Sequence, residues 1–156
     1  MRFEDLGSLL APESLPYLSG VERLPNGVLH VAALTRMPGV SPEMIRWWFG
    51  EYMQTTEHYQ RWHPRDHVWM SWADKRPGTH VGAKHLVHEY IGGRLNKLRI
   101  RFVPPEELFG DALKRQPGAL AVCGIPGLLD QPIDLGRMVH LALPTSWGCE
   151  LHSRFW

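Results

Sequence analysis

Apolar and polar residues alternate strictly along Leu98–Val103, and this pattern restricts the fold more than any other in the chain. Three apolar side chains fall on one face of an extended strand, whereas Arg99 and Arg101 fall on the other. One apolar and one charged face are typical of a strand in an antiparallel sheet that is covered on one side only. The 15 glycines and 13 prolines among the 156 residues also predict short elements joined by many turns, which argues against a bundle of long helices.

Other segments rich in aromatic and β-branched residues extend this sheet. The further strands are predicted at Val28–Leu34, His67–Trp72, His85–Ile91, Ala119–Cys123, Arg137–Leu143 and Cys149–Phe155. Pro105–Lys114 is predicted to form a short helix or a lid over the sheet. We therefore expect a single α+β domain over residues 1–156, in which residues 1–40 form a leading segment with one strand and residues 41–156 carry the helix and the sheet.

A helix is predicted to begin at Ser41, which suits the N-cap, with Pro42 at the first helical position. The apolar residues that follow keep helical spacing and form one stripe: Ile45, Trp48, Phe49 and Tyr52. Tyr59 stays near this face if the helix continues. Because aromatic rings carry large apolar areas, we expect at least two of the following side chains to be buried: Trp47, Trp48, Phe49 and Trp69.

Charge and motifs exclude several classes of function. Lys and Arg total 17 against 16 for Asp and Glu, so the sequence offers no basic surface for nucleic acid or an anionic membrane. No apolar run approaches the ~20 residues of a membrane span, and the acidic N-terminus differs from a signal peptide, so we expect a cytoplasmic protein. Cys123 and Cys149 are expected to be buried thiols without a disulfide. The GxSxG, P-loop and GxGxxG motifs are absent.

Glu89 is the polar residue whose predicted position is hardest to explain by packing alone. In the strand His85–Ile91, residues two apart share a face, so Glu89 points with His85 and Val87, and His88 points to the other side. A carboxylate among apolar residues is costly unless it is paired or bound to a metal ion. An exposed or edge position is the alternative. Histidine and carboxylate side chains together suit zinc or a similar divalent ion.

The remaining histidines lack such a pattern. His63 precedes a proline and His80 lies in a turn rich in proline and glycine, so both are expected at the surface. We expect the same of His30, His58 and His152.

Four segments together resemble the diacetylphloroglucinol hydrolase family, in the family's order and over residues 41–156. They read WWFGEYMQTTEHYQRWHPRDHVWMSW, KHLVHEYIGG, LRIRFVPPEELFG and GRMVHLALPTSWGCELHSRFW. The resemblance implies a Bet v 1-like, or helix-grip, architecture, in which a curved antiparallel sheet surrounds a helix. It also implies a zinc-dependent enzyme that hydrolyses the carbon–carbon bond between an acyl group and a phenolic ring.

The resemblance implies roles for particular residues. His67, at the end of WHPRDH, and Glu89, in VHEYIGG, are implied as zinc ligands. Tyr59 and His140 are implied to hydrogen-bond a small aromatic substrate or to transfer a proton. Met70 is placed with them in the substrate pocket, as is Phe155, which stands where the family tends to have a tyrosine.

In the family, a final helix after SRFW supplies a histidine and a glutamate that complete the zinc site, whereas this sequence stops at Trp156. Three alternatives follow: a shortened form of a longer protein, a site completed by His63, His85 or His88, or a domain that binds no metal. An uncovered sheet face would also favour self-association into a homo-oligomer. A non-catalytic module that binds a small aromatic ligand, or a purely structural remnant, is the alternative to an enzyme.

Overall fold

Extended segments dominate the computed structural model, which describes residues 1–156. The strands are β1 (Gly20–Arg23), β2 (Leu29–Pro38), β3 (His67–Ala73), β4 (Lys84–Ile91), β5 (Arg94–Val103), β6 (Leu120–Leu128), β7 (Met138–Thr145) and β8 (Gly148–Phe155). They form an eight-stranded sheet in the order β1-β2-β8-β7-β6-β5-β4-β3. The α-helices are α1 (Pro42–Trp47), α2 (Thr56–Trp62) and α3 (Glu106–Phe109). None of these helices has the length and apolar character needed to cross a membrane.

The predicted α+β class, an antiparallel sheet with a packed helix, is confirmed. The pairs β1-β2, β2-β8, β7-β8, β3-β4 and β4-β5 are all antiparallel. The backbone groups into two compact units: the first comprises residues 1–46, 104–123 and 137–156, and the second comprises residues 47–103 and 124–136. A single domain over residues 1–156 stays a prediction.

The first unit contains β1, β2, β7 and β8. Short 3-10 helices span Phe3–Leu10 and Pro12–Ser14, and Leu6 and Leu9 of the first are buried. Our prediction of one strand in residues 1–40 was therefore wrong, because a hairpin joins β1 to β2. Its turn carries Gly27 at a φ of 85°, a left-handed conformation that glycine adopts without a steric penalty.

The second unit contains the meander β3-β4-β5 and helix α2. The apolar positions of the alternating segment, Leu98 and Phe102 among them, are buried as predicted. Gly92 and Gly93 form the β4–β5 turn, with φ angles of 57° and 76°. Strand β6 continues to Leu128, beyond the predicted end at Cys123, because Ile125 is buried in the sheet where the sequence indicated a turn.

The predicted helix begins as expected but does not continue to Tyr59. The backbone N–H of Met44 donates to Ser41 Oγ at 3.3 Å, so Ser41 caps α1. The chain then forms a π-helical turn over Trp48–Tyr52 and leaves the helix before α2 starts. Gly50 permits this path, since a Cβ there would lie 3.0 Å from the carbonyl oxygen of Gly78. Tyr59 thus belongs to a separate helix.

The aromatic packing prediction was also wrong. Of the four side chains only Phe49 is buried; Trp48 is half-buried, while Trp47 and Trp69 are 45% and 37% exposed. Trp69 lies on the side of β3 that faces His88 rather than Val87, and its ring centroid is 4.7 Å from that of His88. Trp48 lies in the apolar stripe that helical spacing predicted, but the spacing could not show that this side chain is only partly covered.

Three histidines expected at the surface are buried: His30, His80 and His152 are 1%, 5% and 0% exposed. His80 follows its turn into the core, where its ring lies edge-on to Phe102 at 5.0 Å. His152 shares a face of β8 with the equally buried Arg154. We call His30, His152 and Arg154 the arginine cluster. Cys123 and Cys149 are buried free thiols, as predicted.

Candidate functional site

A β-bulge in β3 sets the geometry of the site. His67 pairs with Glu89 of β4, but the next paired residue, Trp69, lies opposite His88, so Val68 is an extra residue in β3. Because successive side chains in a strand alternate in direction, the extra residue changes the alternation by one position. His67 and Met70, three residues apart, therefore lie on the same face as Glu89 and Val87.

Glu89 lies on the inner face of β4, as the alternation predicted, and its side chain is 19% exposed. The hydroxyl group of Tyr59 donates a short hydrogen bond of 2.5 Å to Glu89 Oε2. Tyr59 is 4% exposed. The carboxylate is thus neither at the surface nor unpaired, and the edge alternative for Glu89 is excluded.

His67 completes what we call the carboxylate cluster: Tyr59, His67 and Glu89. The imidazole ring stacks on the ring of Tyr59, with centroids 3.6 Å apart and planes at 6°. Its Nδ1 lies 2.9 Å from the carbonyl oxygen of Tyr59. A carbonyl only accepts, so Nδ1 carries the proton and Nε2 of the neutral ring keeps its lone pair. Nε2 lies 4.0 Å from Glu89 Oε2.

Helix α2 brings Tyr59 to the strands. Thr55 caps the helix by accepting a hydrogen bond from the N–H of His58 at 3.3 Å. The N–H of Met70 donates to Thr56 Oγ1 at 3.2 Å, which fixes the first turn of the helix on β3. The cap and this tether hold Tyr59, one turn further on, against His67.

Burial governs the protonation of the cluster. It raises the pKa of Tyr59 far above its ordinary value, and the neighbouring Glu89 carboxylate adds to the effect. Burial also raises the pKa of Glu89, against the hydrogen bond from Tyr59, and it lowers the pKa of His67. At neutral pH the phenol is therefore protonated and the imidazole is uncharged.

A second ring system supports the cluster. His85, 3% exposed, lies edge-on to Tyr59 with ring centroids 5.0 Å apart and stacks on Trp72 at 4.5 Å. Trp72 is fixed in turn by a hydrogen bond from Nε1 to the carbonyl oxygen of Met53 at 2.7 Å. The sequence placed His85 on the face of Glu89 but gave no sign of the contact with Tyr59, because Tyr59 comes from a helix that is distant in sequence.

The first unit holds the other predicted site residues. His140 of β7 pairs with Ser153 of β8, and its Nδ1 lies 2.7 Å from Ser153 Oγ. The ring of His140 lies edge-on to that of Phe155, with centroids 5.7 Å apart. The predicted residues thus fall into two groups, one with Tyr59, His67, Glu89 and Met70, and one with His140 and Phe155.

His67 and Glu89 present two donor groups that suit a divalent ion. The hydrogen bond from His67 Nδ1 to a carbonyl is the arrangement that orients metal-binding histidines. No group of three or more His, Cys, Asp or Glu side chains is placed to hold a metal ion. His63 lies beside Asp66 at 3.4 Å with half of its side chain exposed, and His88 contacts Trp69 on the opposite face. His88 therefore points away from the site. The ring centroid of His63 lies 5.8 Å from that of His67, and completion of the site by His63 or His85 stays a prediction.

Comparison with known proteins identifies the family. The family model described as "DAPG hydrolase PhiG domain" matches residues 1–156. The chain belongs to this family. The match includes residues 1–40, which precede the four segments that carry the sequence resemblance.

The relatives of this chain that carry a name are named as hydrolases. A 2,4-diacetylphloroglucinol hydrolase from a Pseudomonas species is 29% identical over 171 residues, covering 98% of this chain and 56% of that protein. The enzyme of the same name from Pseudomonas protegens gives 29% identity, with 98% and 54% covered. The phloretin hydrolase of Eubacterium ramulus is 26% identical, with 99% and 60% covered. The chain thus spans little more than half the length of these curated relatives.

Proposed function

We propose that this chain forms part of the active site of a hydrolase that cleaves the bond between an acyl carbon and a phenolic ring carbon. The observation that carries the proposal is the convergence of the Tyr59 hydroxyl group and His67 Nε2 on one carboxylate oxygen of Glu89. The name of one relative specifies a diacetylated phloroglucinol, which is an acylated phenol. That name supports the choice of substrate class.

His67 and Glu89 are proposed as ligands of a zinc ion. The donor set fits, since a neutral imidazole nitrogen and a carboxylate oxygen face each other across β3 and β4. When bound, zinc supplies Lewis-acid chemistry for polarising a carbonyl oxygen. The two ligands are one fewer than the three protein ligands typical of catalytic zinc.

In the proposed reaction, the oxygen of a water molecule bonds to the acyl carbon and the bond from that carbon to the ring breaks. The electron pair stays on the ring carbon, which takes up a proton, and the products are a carboxylic acid and a deacylated phenol. Tyr59 is suited to donate a hydrogen bond to a substrate oxygen, because burial keeps its hydroxyl group protonated. His140 is proposed to hydrogen-bond the substrate or to transfer a proton, as the family resemblance implies.

A non-catalytic module that binds a small aromatic ligand is the second candidate. It is favoured by the absence of a third metal-binding side chain beside His67 and Glu89. The aromatic rings of Tyr59, Trp72 and Phe102 around His85 would suit a flat ligand without any chemical step.

Hydrolysis of a diacetylated phloroglucinol tests the first proposal against the second. The purified chain is incubated with the compound and zinc, and acetic acid and the monoacetyl product are measured by chromatography. We expect product formation above the uncatalysed rate, lost in Glu89→Gln. Glu150→Gln is the matched control, because Glu150 also lies on a strand beside a histidine, with Oε2 3.5 Å from His152 Nε2. Saturable binding of the compound without product formation would contradict the proposal of an enzyme and favour the binding module.

A further inference from the structure

His85 Nε2 is a polar atom beside the carboxylate cluster that has no partner. Around it, the hydroxyl group of Tyr59 is bonded to Glu89 and Nδ1 of His67 to a carbonyl. Nε2 of His85 is shielded from solvent and makes no hydrogen bond. Leaving a buried polar atom unpaired costs free energy of folding, and such atoms call for a reason.

Packing alone does not explain a histidine at this position. Its neighbours are the face of Trp72, the ring of Tyr59 and, at 6.3 Å, the ring of Phe102. Phenylalanine would make the same ring contacts without an unpaired nitrogen. His85 differs from the other buried histidines with unpaired nitrogens in its contact with Tyr59, the residue that donates a hydrogen bond to Glu89.

We propose that His85 is a substrate-binding residue that recognises an oxygen substituent on the aromatic ring of the ligand through Nε2. This inference rests on the proposed function and refines it, since it assigns the selection of oxygenated rings to His85. An uncharged imidazole nitrogen can pair with a phenolic hydroxyl group or a ketone oxygen. The surrounding rings match the flat face of such a ligand. Because packed side chains cover Nε2, the ligand reaches it only after one of them moves.

His80 provides a matched control in the same unit. It is also buried, at 5% exposure, its Nε2 is also unpaired, and it also contacts Phe102. Unlike His85, it makes no ring contact with Tyr59. If an unpaired buried nitrogen affected binding only through general stability, His80→Phe and His85→Phe would act alike.

The test measures binding of three probes to the 156-residue chain: trihydroxyacetophenone, dihydroxyacetophenone and acetophenone. We expect His85→Phe to raise the Kd for trihydroxyacetophenone about tenfold, the size of one lost hydrogen bond, and the Kd for acetophenone less than about twofold. His80→Phe should change neither. An equal loss for all three probes, a similar loss in His80→Phe, or no binding to the unaltered chain would each overturn the proposal.

A measurement without substitution guards against misfolding of His85→Phe. With ¹⁵N-labelled histidine, the Nε2 resonance of His85 should shift when trihydroxyacetophenone is added, while that of His80 stays in place. An unchanged His85 resonance at saturation would overturn the proposal. Neither experiment monitors turnover, so a chain that prefers oxygenated rings but hydrolyses nothing would refute the proposed function and leave this inference standing.

Discussion

The carboxylate cluster and the arginine cluster are both buried and polar, but they differ in how their atoms are paired. In the carboxylate cluster, the hydroxyl group of Tyr59 donates to Glu89 Oε2, and His67 Nε2, which carries a lone pair, lies 4.0 Å from the same oxygen. In the arginine cluster, both acceptors of the Arg154 guanidinium are backbone carbonyls, those of Ser153 and Ala33, and Nη2 has no partner. His30 and His152 also carry unpaired nitrogens.

This difference shows that burial of polar groups does not by itself indicate a site. A site for chemistry needs donors and acceptors of complementary kind that face the same point. The arginine cluster gathers donors without a carboxylate bonded to the guanidinium, so it lowers stability without offering a reaction. The two clusters should therefore respond to substitution in opposite ways.

The largest effect is expected for zinc affinity. Glu89→Gln and His67→Ala each remove a proposed ligand, so zinc affinity should fall on the order of 100-fold or more, as measured by competition with a chromophoric chelator. Glu150→Gln, on the strand of the arginine cluster, should retain the affinity of the unaltered chain. Equal affinities in Glu89→Gln and Glu150→Gln would refute the assignment of the ligands.

The next effect concerns pH. Burial lowers the pKa of His80 to about 4, and burial is also the main cause that lowers the pKa of His30 to about 4. In the unfolded chain a histidine has a pKa of ~6.5, so below pH ~6.5 the unfolded chain binds more protons than the folded chain. The contribution of the neutral histidine to stability is therefore fully present above pH ~6.5 and is lost as the pH falls towards 4. Each histidine should account for about 2 kcal/mol of the stability lost between pH 7 and pH 5.

Urea unfolding of His80→Phe and His30→Phe at both pH values measures this contribution. Each variant should lose less stability on acidification than the unaltered chain. A variant with the same loss as the unaltered chain would show that the histidine concerned is not held neutral by burial.

A smaller effect is expected for the hydrogen bond within the carboxylate cluster. Tyr59→Phe keeps the ring that stacks on His67 and removes the donor to Glu89, so hydrolysis should slow about tenfold while zinc stays bound. His140→Ala should show the same pattern in the other unit. If Tyr59→Phe instead lost zinc, the result would show that the hydroxyl group is needed to position Glu89 as a zinc ligand.

The smallest effect is expected in the arginine cluster. Arg154→Met replaces a buried, unpaired charge by an apolar side chain of similar length, so the free energy of unfolding should rise by about 1 kcal/mol. Arg36→Met is the control, because Arg36 is 73% exposed and its change should stay within about 0.5 kcal/mol. A marked loss of stability in Arg154→Met would mean that the guanidinium is better paired than its contacts indicate.

Sequence reasoning was most successful where one strand determines the result. The inward direction of Glu89 and the buried positions of β5 follow from alternation alone, and both are confirmed. It failed where several segments meet. His80 lies in a loop and packs against Phe102 of β5, a contact that its own segment does not reveal. The break between α1 and α2 depends on the close approach of Gly50 to Gly78.

For the site, too, the sequence identified the residues but not the strand geometry that brings them together. The family resemblance named His67, Glu89 and Tyr59, and the structure brings these three together. The extra residue Val68 could not be found from the pattern, because a bulge changes which residues are opposite each other without changing composition. The zinc ion, the substrate and the cytoplasmic location stay predictions.

The bulge at Val68 also bears on how relatives should be aligned. Chain length between His67 and Met70 decides which residue faces Glu89, independently of residue identity. A relative with one residue fewer there could retain every motif letter and still turn its histidine to the opposite face of the sheet. A one-residue gap at this point of an alignment would therefore separate chains that can assemble the carboxylate cluster from chains that only resemble them.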